Sequence, residues 1–202
     1  MNKAINLVAL AAGGLLLVAA ATEKTQRLPE SGSARLGGMA PSFGGWDLAG
    51  KSVLSFQSLL KTPGPAPLLV TFGASTCVPC RLGVPRMVSV EKQHQGAFRL
   101  VLIDVEQDAA KAQEFAKDVG HEGPAILDKF EVIAKTYGVA AEGKLTLPRT
   151  FLINAKGRVT AIYREEGKDL EEVIEADLKL ALAPPVEAPP VQVAPATPAP
   201  IK

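Results

Sequence analysis

The chain has 202 residues and only two cysteines, Cys77 and Cys80, separated by Val78-Pro79. A pair at that spacing permits a structural disulfide, part of a metal site, or reversible thiol-disulfide exchange. A bridge over two residues closes so small a loop that it removes little entropy from the unfolded chain, so it would be a poor staple. A four-ligand zinc site needs more donors. The two histidines, His94 and His121, lie outside the motif and there is no second cysteine pair, so no metal is expected. Redox exchange fits best, with the Cys77–Cys80 disulfide itself as the redox group and no other cofactor. The pair follows an apolar run and opens a stretch with helical spacing, where unpaired backbone amides and the helix macrodipole favour a thiolate. Cys77 is then the expected nucleophile, with Arg81 adding positive charge nearby. Cys80 is the expected resolving thiol, which displaces the partner from a mixed disulfide and closes the internal bond.

The elements that must position the cysteines follow from periodicity. Phe43 to Leu48 and Ser52 to Phe56 flank Ala49-Gly50-Lys51 and predict a hairpin, with a helical turn over Gln57 to Lys61. Leu68-Leu69-Val70-Thr71-Phe72 is nearly continuous apolar sequence and predicts a buried central strand. Leu82, Val84, Met87, Val88 and Val90 give one face of a helix from Cys80 to about His94, with Pro79 tolerated in its first turn. A strand over Phe98 to Val105 and a helix over Asp108 to Val119 follow. Further on come a short strand at Ala125 to Leu127 and a helix over Lys129 to Tyr137 stopped by Gly138. A hairpin then joins Thr150–Asn154 to Arg158–Tyr163, and a last helix spans Leu170 to Leu182. That order predicts an α/β fold in which a mixed sheet has helices on both faces, preceded by an N-terminal β-hairpin extension.

The ends differ from the body. Leu7 to Ala21 is an apolar run of 15 residues after Lys3, ending in Ala19-Ala20-Ala21, the layout of a signal peptide cleaved near Ala21 or of an N-terminal anchor. Residues 22–38 lack apolar periodicity and read as a linker. In the last 20 residues, 183–202, 12 are Ala or Pro, which reads as a disordered polyproline-type tail. The remaining domain, 39–182, belongs to a chain with 21 acidic against 22 basic residues. That balance gives no electrostatic footprint for nucleic acid, so no such partner is expected. Export places the body in the periplasm or cell envelope, with membrane contact only through an uncleaved N-terminus.

A second motif accompanies the cysteines, Leu145-Thr146-Leu147-Pro148-Arg149-Thr150, a proline directly before an apolar strand. Leu68 to Met87, LLVTFGASTCVPCRLGVPRM, together with LPRTFLINAKGRV at Leu147 to Val159, resembles the TlpA/ResA-type branch of the thioredoxin family, exported thiol-disulfide oxidoreductases. APSF at Ala40 to Phe43 and DLAGK at Asp47 to Lys51 also have counterparts there. The resemblance implies a thioredoxin-like fold and a cis Leu147-Pro148 bond beside the cysteines, with Leu147, Pro148 and Pro79 contacting an extended substrate segment. It favours the reducing direction, with disulfides of exported proteins or apocytochrome c as substrates and a membrane thiol as electron donor. Three positions depart from the family. Thr76 stands where Trp precedes the first cysteine, Thr71 replaces the buried acid, and Gly83 replaces a Glu. With neither carboxylate, Cys80 lacks its usual proton acceptor and its attack should be slow near neutral pH, unless water, or an acid brought near by the fold such as Glu106, relays the proton. A peroxidase is disfavoured because Ala74 stands where a peroxiredoxin places Thr. The non-enzymatic alternative is an envelope binding module on the same fold whose Pro-rich tail docks a partner.

Overall fold

A computed structural model describes residues 24–94, 96–165 and 167–182. The expectations for the N-terminal apolar run and for the tail at 183–202 fall outside the described residues.

Six strands form one mixed sheet, in the spatial order β1 (Gln26–Arg27), β12 (Val159–Glu165), β11 (Arg149–Ile153), β6 (Leu68–Gly73), β7 (Arg99–Asp104) and β8 (Ala125–Leu127). β6, β7 and β8 run parallel, and the other neighbours pair antiparallel. Every residue of β6 is buried, as its unbroken apolar sequence requires of a strand covered on both faces. Successive side chains alternate between two cores. Leu68, Val70 and Phe72 join Val101, Ile103, Phe151 and Ile153 beneath α1 (Phe56–Lys61) and α4 (Val132–Thr136). Leu69, Leu100, Leu102 and Leu152 face α2 (Val78–His94), α3 (Ala109–Asp118) and α5 (Leu170–Leu182). Each fully buried Leu, Ile or Phe here contributes roughly 1.5–3 kcal/mol from removal of its apolar surface from water. The expected sheet with helices on both faces is therefore present. The expected hairpin is β4 (Gly44–Trp46) and β5 (Val53–Ser55), a separate two-stranded sheet.

The stretch at 22–38 read as a linker is different where it is described. It supplies β1 as the edge strand of the central sheet and a hairpin of β2 (Glu30–Ser31) and β3 (Ala34–Arg35), with Ala34 fully buried. Polar contacts, which have no period, hold it. Asp169 Oδ1 accepts from Thr25 N and Oγ1 at 2.8 and 2.9 Å. Asp177 accepts from Arg27 Nη2 at 3.1 Å and from the Tyr163 hydroxyl at 2.8 Å. The β2–β3 turn also abuts Gly138, where an added Cβ would lie 2.1 Å from Gly32 N, so only glycine fits.

The fourth helix is shorter than the expected Lys129–Tyr137. Asp128 caps it from outside, its carboxylate accepting from Val132 N at 2.8 Å and Ala134 N at 2.7 Å, and Glu131 turns through φ 57° before the first helical residue. A further hairpin, β9 (Ala140–Ala141) and β10 (Lys144–Leu145), was not expected. Glu142 and Gly143 form its turn with φ of 50° and 74°, the positive pair that a two-residue hairpin of this twist needs.

Candidate active site

The active-site geometry begins where β6 stops. Gly73 ends the strand, Ala74-Ser75-Thr76 turn the chain, and Cys77 N donates to Ala74 O at 3.0 Å just before α2 begins at Val78. Cys77 and Cys80 are disulfide-bonded, with S–S 2.03 Å and Cα atoms 5.3 Å apart. Cys80 is fully buried in the core beneath α2, while Cys77 is half-buried at the surface. The Cys80 amide, one of the first-turn N–H groups without a helical acceptor, donates to Cys77 Sγ at 3.2 Å. No acidic residue stands in the first turn of α2, so nothing there opposes negative charge on that sulfur.

The loop before Cys77 is held at Ser75 by two side chains. Glu106 Oε1 accepts from Ser75 N at 3.1 Å and also from the Ser75 hydroxyl. Arg81 Nε donates to Ser75 O at 2.8 Å. The Arg81 guanidinium also lies over the Phe115 ring at 5.6 Å and pairs with Asp118 at 3.1 Å. The positive field expected of Arg81 is thus partly neutralised by Asp118, and its main service is to hold the Ser75 carbonyl.

A groove of about 780 Å³ opens in front of the disulfide, lined by Cys77, Val78, Pro79, Glu106, Leu145 and Leu147 among others. The Leu147-Pro148 peptide is cis, as is Thr62-Pro63, which the sequence reading did not anticipate. Of the expected site residues, Cys77, Pro79 and Leu147 share the groove, Cys80 lies beneath it, and Pro148 is buried just before β11. Leu147 packs against both cores. Thr71 is fully buried, and its Oγ1 accepts from Thr150 Oγ1 at 2.9 Å, so a neutral hydroxyl pair occupies the place of the buried acid.

Three site residues escaped the sequence reading. Ser75 has no signal of its own in the sequence, and Leu145 reaches the groove through the β9–β10 hairpin, whose two-residue strands have no period. Asp104, at the end of β7, is fully buried, with its pKa pushed up to about 6 by burial foremost, against the Glu106 amide that holds its charged form and with the nearby Glu106 charge assisting. The signal available for Asp104 was a carboxylate inside a run otherwise apolar enough to be buried.

The Redoxin family model matches residues 38–178. The chain belongs to the Redoxin family. Among its relatives, thiol-disulfide oxidoreductase ResA of Bacillus thuringiensis subsp. konkukian is 29% identical over 145 residues, covering 71% of this chain and 77% of ResA. A thiol:disulfide interchange protein DsbE homolog of Paracoccus denitrificans is 31% identical over 141 residues, covering 69% of this chain and 71% of that protein. A thioredoxin-family thiol:disulfide interchange protein from Chlorobium tepidum TLS has a TM-score of 0.58 at 29% identity, covering 72% of this chain and 96% of its own. This Redoxin-family chain has the thioredoxin-like fold and is a thiol-disulfide oxidoreductase of ResA/DsbE type with a Cys77–Cys80 pair. Among the described residues no helix is long and apolar enough to cross a membrane.

Proposed function

We propose that this oxidoreductase is exported and reduces disulfides of envelope proteins, apocytochrome c among them, drawing electrons from a membrane thiol donor. Cys77 is the nucleophile and Cys80 the resolving thiol, while Leu147 and Pro148 with Pro79 receive an extended substrate segment along the groove. The observation that carries the assignment is the asymmetry of the pair. The half-buried Cys77 faces the groove and receives a first-turn amide, whereas Cys80 is fully buried and reacts only with what Cys77 already holds. In the reducing cycle the Cys77 thiolate attacks a substrate disulfide, one substrate thiol departs, and Cys80 then displaces the other, leaving the bond now present between the cysteines.

Insulin reduction by the dithiol form tests the exchange, with Cys77→Ser as the inactive control; equal activity of the two proteins would refute it. Cys80→Ser, which stalls at the mixed disulfide, tests the substrate class. Expression in the native host should trap exported disulfide proteins on Cys77, and trapping of cytosolic proteins alone would overturn the envelope assignment.

A further inference from the structure

Positions 71 and 83 carry no carboxylate, whereas the strand next to β6 ends in one, Asp104. Asp104 is the last residue of β7, and strand alternation puts its side chain on the face of Leu100 and Leu102, the layer that also holds Cys80 and Phe115. In register it lies opposite Gly73, which starts the run into Cys77 and carries no side chain of its own at that level. Asp104 Oδ1 accepts from Glu106 N at 2.8 Å. Oδ2 is buried and has no hydrogen-bond partner among the described residues. Such an atom costs stability, and its retention calls for a role. Among the described residues no cation pairs with it. On its own strand end the charged neighbour is Glu106; β6 offers Gly73 and Thr71; β8 leads directly into Asp128, whose carboxylate is spent on α4 and whose amide donates to Asp104 O. α2 presents Cys80 and Arg81, the latter paired with Asp118 of α3, which covers this layer with Phe115. The same acid is wired to the cysteine loop, because Glu106, fixed by Asp104, holds both Ser75 N and the Ser75 hydroxyl.

We propose that Asp104 is the proton acceptor of the dithiol, receiving the Cys80 thiol proton as the internal disulfide closes. From the mixed disulfide of Cys77 with substrate, the Cys80 S–H bond breaks and its proton passes to Asp104 Oδ2. The Cys80 thiolate attacks Cys77 Sγ, the Cys77–substrate S–S bond breaks, and the substrate leaves as a thiolate with the bonding pair. Asp104 then releases the proton towards the groove, which half-buried Glu106 lines. The substrate disulfide is reduced by two electrons and the cysteine pair oxidised by two. A buried acid that ionises just below neutral pH is matched to this task, since it is a base at working pH and holds a proton weakly.

Two measurements test it on the full chain. Carboxyl carbon NMR follows Asp104 in the disulfide and dithiol forms. Its titration should move to higher pH on reduction, because a Cys77 thiolate adds negative charge to the same site. Stopped-flow release of a mixed-disulfide peptide is then compared across pH for wild type, Asp104→Asn and Asp104→Glu. Asp104→Asn should slow release at least tenfold at neutral pH and lose the rise that follows Asp104 ionisation, with Asp104→Glu restoring part of it. An Asp104 titration identical in the two redox forms, or a release profile unchanged in Asp104→Asn, overturns the proposal. The NMR arm needs only the wild-type protein, so it decides even where a variant does not fold. Insulin activity dependent on Cys77 would survive either failure, so the exchange assignment stands or falls separately.

Discussion

Replacing Asp104 by Asn should make the oxidised protein more stable at alkaline pH and progressively less advantaged as pH falls. The side chain is fully buried and its pKa rises from 3.8 to about 6 on folding, chiefly because burial disfavours the charged form. For an acid whose folded pKa is raised, the folded state resists ionisation. Wild-type stability is therefore undiminished by this group below pH 3.8, declines as pH rises from there, and is lowest above 6. The shift of about two pH units corresponds to a penalty of about 3 kcal/mol once the group is ionised. Asn preserves the shape and the acceptor for Glu106 N and carries no charge, so its own packing cost is constant with pH. Urea unfolding of the two proteins at pH 4 and pH 8 isolates the titrating part, because contributions from all other groups cancel in the difference. The gap between variant and wild type should widen by about 2 kcal/mol towards pH 8, with unchanged m. A gap that stays constant, or that widens towards acid, would refute the claim that Asp104 is buried without compensation. Greater stability and slower mixed-disulfide release in the same variant would be the exchange of stability for activity common at functional sites.

Three other outcomes are expected. Asp128→Ala leaves the amides of Val132 and Ala134 without their acceptor and should cost about 2 kcal/mol, read as a lower urea midpoint at constant m; no change would mean water replaces the cap fully. Gly138→Ala places a methyl 2.1 Å from Gly32 N at a φ of 68°, so it should cost about 3 kcal/mol or more, with hydrogen exchange accelerated in the β2–β3 hairpin if the clash is relieved there. In the reduced protein, Cys77 should be alkylated with a midpoint well below the ~8.5 of a free thiol, and Cys80 should resist alkylation; equal profiles would remove helix-terminus activation.

The strand and helix that carry the chemistry were legible because their signals are local and strong. Leu68 to Phe72 is apolar without interruption, and Leu82 through Val90 mark one helical face, so both elements stand where periodicity placed them. The end of the fourth helix was legible too, since Gly138 adopts a φ of 68° that stops it. Its start was not, because Asp128 reads equally as a loop residue and as a cap. The segment at 24–38 was misread because strands of two residues have no period, and their partners, Glu165 and Tyr163 for β1, lie more than a hundred residues away. Asp104 was visible only as a letter inside a strand, since a sequence does not say which side chain across the ladder is a glycine or which carboxylate oxygen goes unpaired.

The sequence by itself determined the chemistry that is possible: two cysteines at one spacing, a strand before them, a helix after them, and a proline ahead of a later strand. Those are properties of neighbours along the chain, where sterics and backbone hydrogen bonding act over a few residues. Only the tertiary structure decided which cysteine is buried, that Leu147 and Cys77 line one groove although seventy positions separate them, that Arg81 is shared with Asp118, and that an acid on β7 stands in the layer of Cys80. Burial and electrostatic coupling depend on distance in space, and sheet register, set by the packing of all six strands at once, fixes those distances.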